Sequence, residues 1–139
     1  MALAVFDADV LIAYLNKDDA QHVAAVEAVR RALTPGTRRL ISAVNYTEIV
    51  IGPLHRDGVA GVAAVDEMLD DLGIETAPVD RALAGQAAAV RVRTGLKLPD
   101  AYALATALAQ WSQEVRLESF DAKVVKAYAA LTSTPPAGT

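Results

Sequence analysis

The chain has 139 residues, 53% of them hydrophobic and 22% charged, with a formal net charge of -4. That balance fits one globular domain with its own core and excludes a disordered chain. The absence of cysteine excludes disulfides, thiolate zinc sites and cysteine nucleophiles, and His22 and His55 are too few for a His-rich zinc site.

Leu3 to Phe6 is an apolar run that reads as a buried strand, and Ala8 to Leu15 as a short helix. Asp19 to Leu33 places Val23, Val26, Val29, Ala32 and Leu33 at helical spacing, and Thr34-Pro35-Gly36 stops it. Arg39 to Ser42 is a second strand. Val44 to Leu54 reads as helix despite Gly52-Pro53, and Gly58 to Leu72 as another, closed by Gly73. Ile74 to Ala77 is a third strand, followed by a helix over Val79 to Thr94 that ends at Gly95. Pro99 to Ser112 is an Ala-rich helix with proline in its opening turn. Val115 to Leu117 is a fourth strand and Asp121 to Leu131 a last helix. Residues 1–131 therefore form one expected domain, and 132–139, rich in Pro, Gly and Thr, a flexible tail. Strands alternating with helices predict an α/β fold, a parallel sheet covered on both faces. In such sheets, sites form beyond the carboxyl ends of the strands.

Four acids fall at that edge. Asp7 directly follows the first strand, and Glu48 lies about one turn into the helix after the second. Asp100 opens the Ala-rich helix, and Asp121 begins the last one. Taken singly, Asp100 and Asp121 read as helix caps, contributing about 0.3–1 kcal/mol, and Glu48 as solvated surface. Asp7 resists that reading, because a carboxylate ending an apolar strand is partly desolvated and no neighbouring Arg or Lys pairs with it in sequence. Two carboxylates about 4 Å apart repel by about 4 kcal/mol at an effective dielectric near 20. A divalent cation relieves such a cluster, and oxygen-only ligands suit Mg²⁺ or Mn²⁺. Such an ion activates a water and stabilises a leaving oxygen in phosphodiester hydrolysis.

Four segments in order resemble PIN-domain motifs over residues 3–130: FDADVLIAYL the opening strand and Asp, NYTEIVIG the helical Glu, LPDAYALATALA the Asp before an Ala-rich helix, and LESFDAKV the last Asp, two positions after a hydroxyl residue. The resemblance implies a three-layer α/β/α domain with a short parallel sheet. It implies a Mg²⁺- or Mn²⁺-dependent ribonuclease in which Asp7, Glu48, Asp100 and Asp121 hold the metal, while Ser119 orients the last acid or a metal-bound water. Compact single-domain members are typically VapC-type toxins of type II toxin–antitoxin pairs. From this follow three expected partners: an RNA substrate, a second copy in a homodimer, and an antitoxin that inserts into the active-site groove. Asp9 departs from the family, which often has Ser, Thr or Asn there; it reads as a cap on the first helix rather than as added site charge. Glu118 reads as solvated.

The acidic net charge argues against binding nucleic acid through the overall field. Local contacts are expected instead from Arg91, Arg93 and Lys97, with Arg38, Arg39, His55, Arg56, Arg116 and Lys123 near the same edge. Phe6, Trp111 and Phe120 read as core, and Tyr46 as partly buried or stacking on a base. No apolar run reaches the roughly 18 residues of a membrane span, and MALAVFDADV carries an acid where a signal peptide needs an unbroken apolar stretch. A cytoplasmic protein is expected.

Two alternatives remain open in the sequence. Asp7-Ala8-Asp9 after a strand also fits a haloacid-dehalogenase-like phosphatase, with Asp7 as nucleophile and Asp9 as general acid. Its later motifs find no clear counterpart, and it leaves Glu48 and LPDAYALATALA without a role. A catalytically silent binding domain on the same fold is the other.

Overall fold

Residues Ala2–Phe6 form β1, and Leu3 to Phe6 are all buried. This pattern requires cover on both faces, and a computed structural model, which describes residues 1–110 and 114–133, supplies it. Three further strands, β2 (Thr37–Ser42), β3 (Ile74–Ala77) and β4 (Glu114–Glu118), join β1 in one sheet of order β3-β2-β1-β4. Every pairing is parallel; Phe6 stands opposite Ile41 on one side and Glu118 on the other.

Two helices fill each connection within the sheet: α1 (Ala8–Leu15) and α2 (His22–Ala32), α3 (Ala43–Asp57) and α4 (Val59–Asp71), then α5 (Arg81–Thr94) and α6 (Leu98–Leu108). The chain closes with α7 (Ala122–Thr132). Strand alternation sorts the helices into layers. Ala4 and Phe6 point to a core shared with Leu11, Val29, Ile49 and Val65 from α1 to α4. Leu3 and Val5 point the other way, toward Leu40 and Ala107, and Leu117 links that cluster to the one built by Val90, Leu104 and Val124. The result is the expected three-layer α/β/α arrangement. The sheet grows outward from β1 to β3, then the chain crosses to β4 on the far side of β1. The carboxyl ends of β1 and β4 therefore flank the topological switch point, where open α/β sheets place their sites.

Several boundaries differ from the sequence reading for local reasons. The Asp19 side chain accepts the Gln21 N–H at 2.8 Å and its carbonyl accepts the His22 N–H at 3.0 Å, so a tight turn uses Asp19 to Gln21 and α2 starts at His22. Asp80 caps α5 through the Leu83 N–H at 2.9 Å, which moves that start from Val79 to Arg81. α3 continues through Gly52-Pro53 to Asp57. α6 ends at Leu108, where Ala109 closes it, short of the expected Ser112. The expected core position of Trp111 and the tail beyond Ser133 lie outside the described residues.

Gly61 sets the closest approach between α3 and α4. A Cβ there would lie 2.2 Å from the Pro53 carbonyl oxygen, a backbone atom that cannot swing aside. Gly61→Ala is therefore expected to push α4 off α3 and lower stability by about 1–3 kcal/mol. Urea unfolding measures this; an unchanged midpoint would contradict so tight a packing.

Candidate active site

Asp7 extends the β1–β4 ladder by one step, its N–H donating to the Glu118 carbonyl at 2.9 Å. Its side chain is 2% exposed. Oδ1 accepts the Ala8 N–H at 2.9 Å and so caps α1; Oδ2 accepts the Ser119 hydroxyl at 2.9 Å. The Ser119 oxygen in turn accepts the Asp121 N–H at 3.1 Å. Ser119 thus gives its proton to the first acid and holds the last by its backbone. Asp121 caps α7 through the Lys123 N–H at 2.9 Å. Asp100 stands half-buried in the first turn of α6, one turn after Lys97.

Asp9 does not cap α1, since Asp7 holds that position. Its Oδ2 instead accepts the Phe120 N–H at 3.0 Å across the gap between α1 and the β4–α7 loop. Its Oδ1 is buried without a hydrogen-bond partner among the described residues. A fifth acid therefore joins the site.

Burial and mutual repulsion shape the charges here. The Asp7 carboxyl is pushed up to about 7, first by burial and then by Asp9, with Ser119 opposing and Asp100 adding to the rise. Asp9 is raised by burial; the Phe120 and Val10 N–H groups oppose this, and Asp100 and Asp121 add to it. Asp100 is raised by burial and by Asp121, with Lys97 pulling it back. Asp7, Asp9, Asp100 and Asp121 thus share one field.

Glu48 joins the edge by another route. Its Oε1 accepts from Asn45 Nδ2 at 3.0 Å, and the same nitrogen donates to the Pro99 carbonyl at 3.1 Å, one residue before Asp100. Glu48 faces a small apolar groove of about 180 Å³ between α1 and α3, lined by Ile12, Leu15, Pro53 and Arg56 among others. Asp9 and Asp121 line a second groove, of about 440 Å³, on the other side of Ile12. A larger groove of about 620 Å³ lies beside β3 and holds none of these five acids.

Among the described residues, no three carboxylate or imidazole side chains are drawn together tightly enough to hold an ion unaided. The donor set nevertheless fits a hard cation that keeps several waters: it is all oxygen, it is mutually repulsive, and one buried Asp9 oxygen lacks a donor. Asp7 feels the charge of Asp9 and Asp100, and Asp100 that of Asp121, while Glu48 reaches the Asp100 turn only through Asn45 and Pro99.

The basic residues divide. Arg93 and Lys97 are exposed, and Lys97 stands near enough to Asp100 to act on its carboxyl. Arg91 is tied down, its guanidinium donating to the Leu96 carbonyl, where it clasps the α5–α6 turn. Arg38, Arg39 and Arg116 do not stand at the site. Arg38 pairs in register with Leu3, near the amino ends of the strands, and Arg39 and Arg116 pair with Ala4 at mid-strand, short of the carboxyl edge. Arg38 bridges to Glu75 at 2.7 Å, and Arg39 donates to the carbonyls of Leu72, Ala32 and Thr37. Glu118 is not solvated: its side chain is 13% exposed and pairs with Arg31 at 3.1 Å. Tyr46 is partly buried and donates to Asp66 at 2.6 Å. Asn45 was missed in the sequence; the available signal was an amide three residues before Glu48 on the same helical face.

The family model of the PIN domain matches residues 4–129. No curated protein matches the chain. Among solved structures, the chain is similar to the sarcin-ricin-loop-cleaving toxin VapC20 of Mycobacterium tuberculosis, with TM-score 0.67 and 19% identity over 92% of this chain and 94% of that one. It is similar to a toxin–antitoxin complex from Klebsiella pneumoniae, with TM-score 0.62 and 24% identity over 85% and 86%. It is also similar to VapBC2 of Rickettsia felis, bound to a fragment of its promoter DNA, with TM-score 0.54 and 14% identity over 86% and 99%. At these identities the structural likeness speaks to the fold.

The raised Asp7 carboxyl has a defined effect on stability. An acid whose folded value, about 7, exceeds its ordinary 3.8 costs nothing while both states are protonated. As pH rises through that interval the unfolded chain ionises first, so stability falls and then levels off above about 7. In chelator, Asp7→Asn is expected to be more stable than the parent at neutral and higher pH, on the order of 2 kcal/mol, and to converge with it toward pH 4. Thermal unfolding across that range measures this; a constant difference between the two proteins would contradict it.

Proposed function

Because the chain belongs to the PIN-domain family, we propose that it is a metal-dependent endoribonuclease and the toxin of a type II toxin–antitoxin pair. The observation that carries this reading is Asp7, buried at the sheet's switch point beside Asp9 and Asp100 with no ion pair among the described residues. Family membership disfavours the phosphatase alternative, which also has no use for Glu48, Asn45 and Pro99 meeting where Asp100 begins its helix.

Asp7, Asp100, Asp121 and Glu48 would hold Mg²⁺ or Mn²⁺. When bound, such an ion supplies Lewis acidity, lowering the pKa of a water and offsetting charge on the phosphate. The chain's own groups do the rest. Ser119 fixes the orientation of Asp7 by donating to Oδ2, and places Asp121 through its amide. Lys97 lowers the Asp100 carboxyl and offers a cation to an RNA phosphate beside it. Arg93, exposed in the last turn of α5, would extend that contact.

The Klebsiella structure is a toxin–antitoxin complex, and the groove between α1 and α3 offers this chain's antitoxin an apolar seat beside Glu48, with Ile12 and Leu15 exposed on its rim. The exposed apolar residues of the first helical hairpins, Val23 and Val59 among them, suit that partner or a homodimer. No helix among the described residues is long and apolar enough to cross a membrane. A protein that cleaves RNA and pairs with an antitoxin would act in the cytoplasm.

RNA cleavage by purified protein is expected with Mg²⁺ or Mn²⁺, to stop with EDTA, and to fall at least about 100-fold in Asp100→Asn. Cleavage that survives both changes would overturn the assignment. Mn²⁺ binding without cleavage of any RNA would favour the silent binding domain. Arg93→Ala with Lys97→Ala is expected to flatten the salt dependence of RNA binding by about one to two phosphate contacts. An unchanged slope would return both residues to the solvated surface.

A further inference from the structure

Asn45 lies three residues before Glu48 on α3, so the two side chains share a face. It is 0% exposed, an unusual setting for an amide. Its Nδ2 donates to two acceptors, Glu48 Oε1 at 3.0 Å and the Pro99 carbonyl at 3.1 Å. Those partners fix which end of the amide is nitrogen, because the reverse placement would set an oxygen against two acceptors. The contact to Pro99 is the more telling one. Proline lies in the first turn of α6 and its carbonyl immediately precedes Asp100. One buried amide therefore links the Glu48 carboxylate to the backbone that presents Asp100, across elements 54 positions apart in sequence.

Simple stability does not account for this amide. Its Oδ1 is buried without a hydrogen-bond partner among the described residues. An uncompensated buried acceptor is unfavourable, and an aliphatic side chain of similar volume would avoid it. Without the amide, Glu48 would have several free rotamers in a groove lined mainly by apolar groups. With it, Oε1 is held by a donor and the carboxylate plane is set, while the α3–α6 separation is fixed at the level of the acids.

We propose that Asn45 is a positioning residue: it holds Glu48 and the Asp100 turn at a fixed separation, so that the two carboxylates meet a divalent cation without reorganisation. This rests on the metal-dependent nuclease reading. Groups that orient the ligands of an ion commonly raise its affinity about 10- to 100-fold, and a buried amide bridging two ligand-bearing segments is suited to that role.

Mn²⁺ binding by calorimetry, together with thermal melting in chelator, tests the proposal on the full chain. Asn45→Leu matches the amide's branched outline, at a larger volume, and removes the donor; Asn45→Ala removes it without overpacking and is the second variant should the leucine protein fail to fold. The expected result is a melting temperature in chelator near the parent's for Asn45→Leu, with Mn²⁺ affinity reduced about 10-fold or more. In a Glu48→Gln background, adding the Asn45 change is expected to cost little further affinity, because the amide acts through that carboxylate. Unchanged Mn²⁺ affinity in a folded Asn45 variant would overturn the proposal, as would a full additional loss in the Glu48→Gln background. If the parent protein binds no Mn²⁺, the failure lies in the nuclease reading itself and the proposal falls with it.

Discussion

Asp7 sits at the end of a strand that is buried on both faces, and the rest of the site follows from that placement. A central parallel strand must be apolar throughout, so the first polar group after it emerges from the core with little water around it. The crossover that puts β4 beside β1 then brings Ser119, Phe120 and Asp121 to the same point, while α6 delivers Asp100. No lysine or arginine among the described residues forms an ion pair with Asp7. The fold concentrates negative charge where solvent screens it least, an arrangement that lowers stability and is expected only where function requires it.

The hydrogen bonds around the acids are built to orient them without neutralising them. Asp7 is held by a backbone amide and a hydroxyl, Asp9 and Asp121 by backbone amides, and Glu48 by a neutral carboxamide. None of these donors carries a full charge. Lys97 lowers the Asp100 carboxyl through its charge, and it does so from the exposed side. The arginines that pair closely do so elsewhere: Arg31 with Glu118, Arg38 with Glu75, and Arg39 with three carbonyls that bind α2, β2 and the α4–β3 turn together. Positive charge is thus used for architecture away from the acids, and the site remains open to a cation.

Much of this was legible in the sequence because parallel α/β folds obey a positional rule. Four apolar runs separated by helical ones predicted the sheet; Asp7, Glu48 and Asp121 follow the first, second and fourth runs and Asp100 opens the Ala-rich helix, so all four were expected at one edge. The side-chain partners were not legible, because they depend on which distant segments meet. Asp9 looked like a cap on its own helix, yet its carboxylate bonds to Phe120, 111 positions away. Glu118 looked solvated, yet Arg31 reaches it from α2. Arg91 looked free beside Arg93, but a side chain at the end of a helix finds the carbonyls of the following turn. Asn45 escaped notice because a polar residue on a helix usually faces water, and only the packing of α3 against α6 turns it inward.

The central role proposed for these acids is to hold a divalent ion. Anomalous diffraction from crystals soaked in Mn²⁺ tests this most directly. The expected result is a peak in the space between the Asp7 and Asp100 carboxylates, with Asp7 still bonded to Ser119 and waters completing the shell. Ordered carboxylates in the Mn²⁺-soaked crystal with no peak between them, or a peak only at acids away from this edge, would contradict it.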